Sequence, residues 1–149
     1  MLARSRSSQA VLDALRAGRT AVSKLPPSAG GAPLLLEADA NRDGTFESLQ
    51  GDTVKGRVPM RVRARDATMT GLVRVRANGE TIVDGEQLAP GGAVTFTSPA
   101  KPGWVRAALL AAPGDAAATA PGCEASGQSV SECAYDAQLL ALTSPLYLR

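Results

Sequence analysis

Short runs of alternating apolar and polar residues fill the chain from Leu34 onward, with turn residues between them. A period of two is typical of strands that bury one face. The pattern predicts eight strands: Leu34–Ala38, Gly56–Arg65, Leu72–Ala77, Thr81–Val83, Val94–Thr97, Trp104–Leu110, Gln138–Leu142 and Leu146–Leu148. Many short strands with turns between them favour a mainly β fold, an antiparallel immunoglobulin-like β-sandwich.

One short helix is predicted ahead of the strands, over Ser8–Ala17. Ser7 or Ser8 supplies a cap, Val11, Ala14 and Leu15 share one face, and Gly18 suits the position after the helix end. A helix of this length is not stable alone in water, so it must dock on another element. Residues 25–31, rich in Pro and Gly, then predict a linker or long turn.

Two turn signals stand out among the strands. Asn78-Gly79 predicts a type I′ hairpin, because that turn needs positive φ at both central residues, and Pro90-Gly91-Gly92 predicts a second turn. Residues 112–132 are rich in Ala, Gly, Ser and Pro, so we expect a surface excursion there.

Composition limits the chemistry. The 149 residues suffice for one core, and they contain no histidine. A Ser–His or Cys–His nucleophile and any imidazole-ligated metal site are therefore excluded within this chain. The net charge of +2 is too small to indicate nucleic acid as a partner. No apolar run is long enough for a membrane span, and the basic amino terminus lacks the apolar stretch of a signal peptide.

The two cysteines bracket a polar loop. A disulfide between Cys123 and Cys133 would imply an oxidising compartment. Two reduced thiols in a cytosolic loop are the alternative. A disulfide in a chain without an export signal would fit the tail of a longer, exported protein.

Arginines alternate with apolar residues in two successive predicted strands. If 66–71 closed a hairpin between these strands, Arg63 would face Arg74 and Arg61 would face Arg76. Like charges directly opposite each other are destabilising, and the next hairpin strand, predicted as Thr81–Val83, supplies no acid. The pattern therefore suggests a docking surface for an acidic partner or another domain. The alternative is a solvated face whose long side chains cover the sheet.

The segment Asp39–Glu47 fits the first half of a twelve-residue calcium loop. Oxygen ligands at alternate positions, with glycine at position six, suit a hard cation. The candidate ligands are Asp39, Asn41, Asp43, Thr45 and Glu47. Position twelve is Gln50 instead of Glu, so the usual bidentate carboxylate is missing. The alternative is a turn whose Asp and Asn side chains bond their own backbone. A bound calcium ion would be structural, not catalytic.

Trp104 is a further candidate for binding. Arg106 lies on the same side of the predicted strand, and Val105, Ala107 and Leu109 alternate toward the core. An outward Trp could stack on a sugar or cover a neighbouring domain. The alternative is a partly buried Trp at the sandwich edge.

Five segments keep a common order along the chain: Ala14–Ser23, Gly51–Val54, Val75–Glu80, Gly103–Ala107 and Ala141–Leu148. Together they resemble the carboxy-terminal portion of the PHP (polymerase and histidinol phosphatase) superfamily of metal-dependent hydrolases. In the branch concerned, a β-sandwich follows the catalytic barrel. The histidine and acidic metal ligands of the family lie upstream of this region, so no catalytic residue is transferred to this chain.

The resemblance implies two parts and a role for each. Residues 1–24 would be a remnant helix and strand of an upstream barrel domain, and 25–149 a β-sandwich accessory domain. The chain would then be the non-catalytic accessory part of a metal-dependent phosphoesterase or related hydrolase. Its partner would be the catalytic barrel, in the same or an adjacent polypeptide. The alternative is an independent, calcium-stabilised module that binds carbohydrate or protein.

Overall fold

The computed structural model describes residues 5, 7–24, 26, 33–65, 69–111 and 139–149. The elements are α1 Ser8–Arg16, β1 Ala21–Ser23, β2 Leu34–Ala38, β3 Ser48–Leu49, β4 Thr53–Val54, β5 Pro59–Ala64, β6 Gly71–Ala77, β7 Glu80–Leu88, β8 Val94–Thr97, β9 Gly103–Leu110, β10 Leu139–Thr143 and β11 Leu146–Leu148. Across this described part, no helix has the length and apolar character needed to cross a membrane.

The helix α1 begins and ends where the sequence signals place it. Ser7 is the N-cap, and its hydroxyl accepts a hydrogen bond from the Ala10 N–H at 3.2 Å. Gly18 has a φ of +68° just past the helix end. On the predicted apolar face Ala14 is buried, whereas Leu15 is 52% exposed. The sandwich therefore covers only part of that face.

The described strands form two sheets. In the larger one β9 is central: β6 pairs with one of its edges and with β7, while β10 and β11 follow each other along the other edge. β1 pairs with β10, and β4 pairs with β11 in parallel. The smaller sheet has the order β3-β2-β5-β8 and is antiparallel throughout.

One apolar cluster joins the two sheets. Leu34, Leu36 and Met60 from the smaller sheet pack with Val75, Val105 and other aliphatic residues of the larger sheet. All five of these side chains are fully buried. The prediction of a mainly β sandwich preceded by one short helix is confirmed.

The hairpin at Asn78-Gly79 is also confirmed, with φ values of +52° and +91°. The strand that follows is longer than predicted and runs to Leu88. Its register against β6 shifts twice, and only Val83 and Leu88 of β7 are buried. Alternation is lost there, so the pattern after Val83 did not indicate a strand.

The predicted hairpin between the two arginine-bearing strands is wrong. β5 pairs with β2 and β8 in the smaller sheet, whereas β6 pairs with β7 and β9 in the larger one. Both β5 and β6 would bury their apolar face whether they paired with each other or lay in different sheets. Alternation alone therefore could not decide between these two arrangements. Arg63 therefore does not face Arg74, and Arg61 does not face Arg76.

Alternation of apolar and polar residues did not indicate three short strands, β1, β3 and β4, because each has only two or three residues. β1 is an edge strand of the larger sheet. The origin of residues 1–24 as a remnant of a barrel stays a prediction.

The chain crosses from the smaller to the larger sheet at a corner, Gln50-Gly51-Asp52, between β3 and β4. Gln50 is completely buried. Its Oε1 accepts a hydrogen bond from the Leu36 N–H at 2.9 Å, and its Nε2 donates to the Leu34 carbonyl at 3.3 Å. The side chain thus bonds the backbone of β2 as a neighbouring strand would.

Gly51 and Asp52 connect the same corner to the amino-terminal segment. A Cβ at Gly51, whose φ is +91°, would lie 2.0 Å from the Ala17 carbonyl oxygen. Asp52 forms an ion pair with Arg19 at 2.6 Å and accepts a hydrogen bond from the Leu49 N–H. The end of α1 therefore packs on the corner only because residue 51 has no side chain.

We expect Gly51→Ala to destabilise the fold by more than Gly79→Ala does. Both glycines have a φ of +91°, but a Cβ at Gly79 meets nothing within 4 Å. The Gly79 variant should lose about 1–2 kcal/mol from backbone strain alone. The Gly51 variant should lose roughly 1–3 kcal/mol more from overpacking. Urea unfolding of both variants measures the difference, and equal losses would contradict the packing of α1 on the corner.

Candidate functional site

The loop between β2 and β3 is folded around Asp39. This residue is 3% exposed. Its Oδ1 accepts a hydrogen bond from the Asp43 N–H at 3.1 Å, and its Oδ2 accepts one from the Gly44 N–H at 2.9 Å. Positive φ values at Arg42 (+62°) and Gly44 (+89°) let the chain turn tightly around this carboxylate. The sharp turn expected at position six of the loop is therefore present.

The loop brings three carboxylates together. Asp39, Asp43 and Glu47 each offer an oxygen atom, and these atoms lie within 4.8 Å of one another. Asn41 lies beside them, since its Nδ2 donates to Asp43 Oδ2 at 3.0 Å. Carboxylate and amide oxygens are the donors that Ca²⁺ prefers. Three of the five predicted ligands therefore converge, whereas Asn41 turns its amide nitrogen, not its oxygen, toward the Asp43 carboxylate, and its oxygen accepts a hydrogen bond from the Asp43 N–H.

The backbone uses the same oxygens. The Thr45 N–H donates to Asp43 Oδ1 at 2.7 Å, and the Ala40 N–H donates to Glu47 Oε1 at 3.1 Å. The hydrogen bond from the Thr45 backbone is the main reason that the pKa of Asp43 lies below its ordinary value. These bonds keep the Asp43 carboxylate charged, and they also make the loop a self-supporting turn.

Gln50, at the twelfth position, is not available to a cation. Its side-chain amide bonds the backbone of β2 at the corner. Glu47, three residues earlier, is the carboxylate that reaches Asp39 and Asp43.

Two of the predicted docking arginines are bound to a buried acid. Glu37, 3% exposed, receives hydrogen bonds from Arg61 Nε at 2.6 Å and from Arg63 Nε and Nη2 at 2.9 and 2.8 Å. Arg61 also lies over the Phe46 ring, 4.3 Å from its centroid. Glu37 is the one charged residue in the predicted Leu34–Ala38 run, but alternation gave no sign of its partners, because they depend on β2 lying beside β5.

Electrostatics at Glu37 reflect two opposing effects. Burial raises its pKa, but the hydrogen bonds and charges of Arg63 and Arg61 together outweigh burial, so the pKa of Glu37 lies below its ordinary value. The hydrogen bonds that Arg63 donates to Glu37 correspondingly raise the pKa of Arg63. The carboxylate is therefore charged at neutral pH and holds both guanidinium groups on the outer face of the smaller sheet.

The other two arginines lie on the larger sheet. Arg74 forms an ion pair with Asp84 of β7 at 2.7 Å, so the expectation that this hairpin supplies no acid is wrong. Arg76 lies opposite Arg106 of β9. The four predicted arginines thus form two separate groups, one on each sheet, and not one stripe.

Trp104 lies on the outer face of the larger sheet, as its position in the strand predicted. Val105, Ala107 and Leu109 are fully buried, and the Arg106 guanidinium lies 5.7 Å from the centroid of the Trp104 ring. Tyr147, a residue that is not among the candidates predicted above, lies directly opposite Trp104. Its signal was present, since alternation between Leu146 and Leu148 places it outward.

Cys123 and Cys133 lie outside the described residues. Their disulfide, and the compartment that it would imply, stay predictions.

We expect Glu37→Gln to lower the free energy of unfolding by about 3 kcal/mol at neutral pH, because two partly buried arginines lose their counter-charge. Since folding lowers the pKa of Glu37, its contribution is complete above the unfolded-state pKa, about 4.3. It is lost as the pH falls through the lower, folded-state pKa. Urea unfolding from neutral to acid pH should therefore show the two proteins converging at the acid end.

Asp84→Asn is the matched control. Its ion pair with Arg74 is more exposed, with 56% of the Asp84 side chain accessible, so its removal should cost under about 1 kcal/mol. A constant difference between wild type and Glu37→Gln down to strongly acid pH would contradict the charge-based role of Glu37.

Comparison with known proteins finds no family model that matches the chain, and no curated protein or solved structure that is similar to it. The relation to PHP-type hydrolases stays an expectation carried by the five ordered segments. What the chain does must therefore follow from its own surfaces: the acidic loop, the two arginine groups, the Trp104 face and the exposed residues of the amino-terminal segment.

Proposed function

We propose that this chain is a non-catalytic accessory β-sandwich that docks on a catalytic domain through α1 and β1. The observation that carries the proposal is the exposure of large apolar side chains in this segment. Leu12 is 46% exposed, Leu15 is 52% exposed and Val22 is 65% exposed. Only two other large hydrophobic residues in the described chain, Ile82 and Tyr147, are exposed. Grouped apolar exposure is typical of an interaction surface.

The position of β1 supports the same role. Within the described residues β1 pairs with β10 alone, so its other edge carries unpaired backbone groups. An unpaired edge can accept a further strand from a partner. Arg19 and Asp52 fix the segment to the sandwich by an ion pair at 2.6 Å. A partner that binds α1 and β1 would therefore be held firmly against the whole domain.

A non-catalytic role agrees with the inventory of reactive groups. The chain has no histidine. The carboxylates of Glu37, Asp52 and Asp84 are occupied by ion pairs with arginines. Together with the resemblance described above, this favours a barrel of the PHP type, a metal-dependent phosphoesterase or related hydrolase, as the catalytic partner.

The docking role is tested by co-expressing the chain with the catalytic barrel encoded in the same or the adjacent reading frame. Replacing Leu12, Leu15 and Val22 by Ser, Ser and Thr should weaken co-purification at least about tenfold, since each buried aliphatic side chain contributes about 1.5–3 kcal/mol. Ile82→Thr, another exposed aliphatic position, should leave binding unchanged.

Two results would contradict the proposal. One is undiminished binding of the triple variant to the barrel. The other is cleavage of a phosphate ester by the purified chain alone, with activity lost on mutation of its own carboxylates.

A second role concerns calcium, and we infer that the Asp39 loop holds one structural Ca²⁺. What supports this is the convergence of Asp39, Asp43 and Glu47, whose oxygens lie within 4.8 Å of one another. An ion there would fasten β2 to β3 by neutralising three close carboxylates. Carbonyl groups and water would complete its coordination.

Calcium should raise the melting temperature of the chain. At a hundredfold excess over Kd the stabilisation is about 2.7 kcal/mol, or about 5–10 °C for a chain of this size. Asp43→Asn should remove most of the shift, while Glu80→Gln, an exposed acid on β7, should keep it. Differential scanning calorimetry with calcium and with a chelator measures the effect; equal melting temperatures in both would remove the site.

A further inference from the structure

The outer face of the larger sheet carries two aromatic rings side by side. Trp104 on β9 lies directly opposite Tyr147 on β11, and Cβ atoms in such cross-strand pairs are about 4.5–5.5 Å apart. Both rings point away from the core, because their neighbours Val105 and Leu146 are fully buried. Tyr147 is 46% exposed. Trp104 is partly buried, so most of the ring surface that reaches solvent belongs to Tyr147.

Two guanidinium groups lie on the next rung of the same face. Arg106 follows Trp104 by two residues, and its guanidinium lies 5.7 Å from the centroid of the Trp104 ring. Arg76 lies opposite Arg106 on β6, with buried Val75 and Ala77 on either side of it. Aromatic surface and positive charge are thus adjacent. We call these four residues the Trp104 patch: Trp104, Arg106, Arg76 and Tyr147.

The backbone beneath the patch is fixed before any ligand arrives. Asn78 Oδ1 accepts a hydrogen bond from the Trp104 N–H at 2.9 Å, and Asn78 Nδ2 donates to the Pro102 carbonyl at 3.2 Å. The Asn78 N–H in turn donates to the Trp104 carbonyl at 3.1 Å. Gly103 leaves room for this amide, since a Cβ there would lie 1.8 Å from Asn78 Oδ1. A fixed patch loses little conformational entropy on binding.

We propose that the Trp104 patch binds an acidic polysaccharide, a chain of sugar rings that carry carboxylates. The rings of Trp104 and Tyr147 supply flat apolar surfaces that stack on the C–H faces of sugars. The guanidinium group of Arg106 supplies paired donors that match a carboxylate. This role is independent of docking through α1 and β1, because it uses a different part of the larger sheet.

Charge favours a polyuronate over a single-stranded nucleic acid. Strands of nucleic acid need a basic groove along their whole phosphate backbone. Next to the patch, Arg74 of β6 is held in an ion pair by Asp84 of β7, so basic charge does not continue along this face as a groove would need. A polyuronate needs one carboxylate at Arg106 while neighbouring sugars lie on the aromatic rings, so a short patch is sufficient.

Trp104 is the only tryptophan of the chain, so its fluorescence reports directly on the patch. Titration of the full chain with polygalacturonate should change the emission and saturate, whereas neutral dextran should have no effect. Tyr147→Ser should weaken binding about tenfold through lost stacking. Arg106→Gln should weaken it about fivefold or more through the lost charged hydrogen bonds. Arg65→Gln removes an exposed arginine of the smaller sheet and should bind like wild type.

Three outcomes would overturn the proposal. The first is an emission that polygalacturonate leaves unchanged. The second is equal binding of polygalacturonate by wild type, Tyr147→Ser and Arg106→Gln, with circular dichroism showing all three folded. The third is tighter binding of dextran or of oligothymidylate than of polygalacturonate, which would assign the patch to neutral sugars or to single-stranded nucleic acid.

Discussion

The corner at Gln50-Gly51-Asp52 is the constraint on which the rest of the structure depends. Gln50 is buried and uses its amide to bond the backbone of β2, while the Asp52 carbonyl accepts a hydrogen bond from the Tyr147 N–H of β11. One short stretch thus bonds both sheets. A buried amide left without these partners would cost about 1–3 kcal/mol, so the corner favours a single arrangement of the two sheets. Besides these bonds to the two sheets, the corner also contacts the end of α1, because Gly51 has no side chain.

The candidate sites follow from this arrangement. Because β5 lies beside β2, Arg61 and Arg63 share the carboxylate of Glu37, which offsets part of their positive charge on the smaller sheet. Because β6 lies beside β9, Arg76 instead lies opposite Arg106, the residue whose guanidinium is close to Trp104. The same alternation of arginine and aliphatic residues therefore leads to two different sets of neighbours, and the pairing partner decides between them.

Much of the fold could be predicted from local patterns. The strands Leu34–Ala38, Val94–Thr97 and Leu146–Leu148 have the predicted bounds, since alternation and flanking turns define them without tertiary context. The Asn78-Gly79 turn was equally local. By contrast, the sequence placed Gln50 at the twelfth position of a calcium loop, where it lacks the usual carboxylate. Only the structure reveals that its side-chain amide makes the hydrogen bonds to β2 that a neighbouring strand would make. Likewise, the position of Tyr147 opposite Trp104 follows only from the pairing of β11 with β9.

By itself, the sequence determined the class of fold, the absence of histidine chemistry, the acidic loop and the outward direction of Trp104. Each of these depends on residue type or on spacing within a few positions. The tertiary structure decided which strands pair, and so which arginines meet Glu37, which ring lies beside Trp104 and which face of α1 stays exposed. The physical reason is that a β-strand records in its sequence which side is buried but not which strand lies next to it, because backbone hydrogen bonds are the same for every partner.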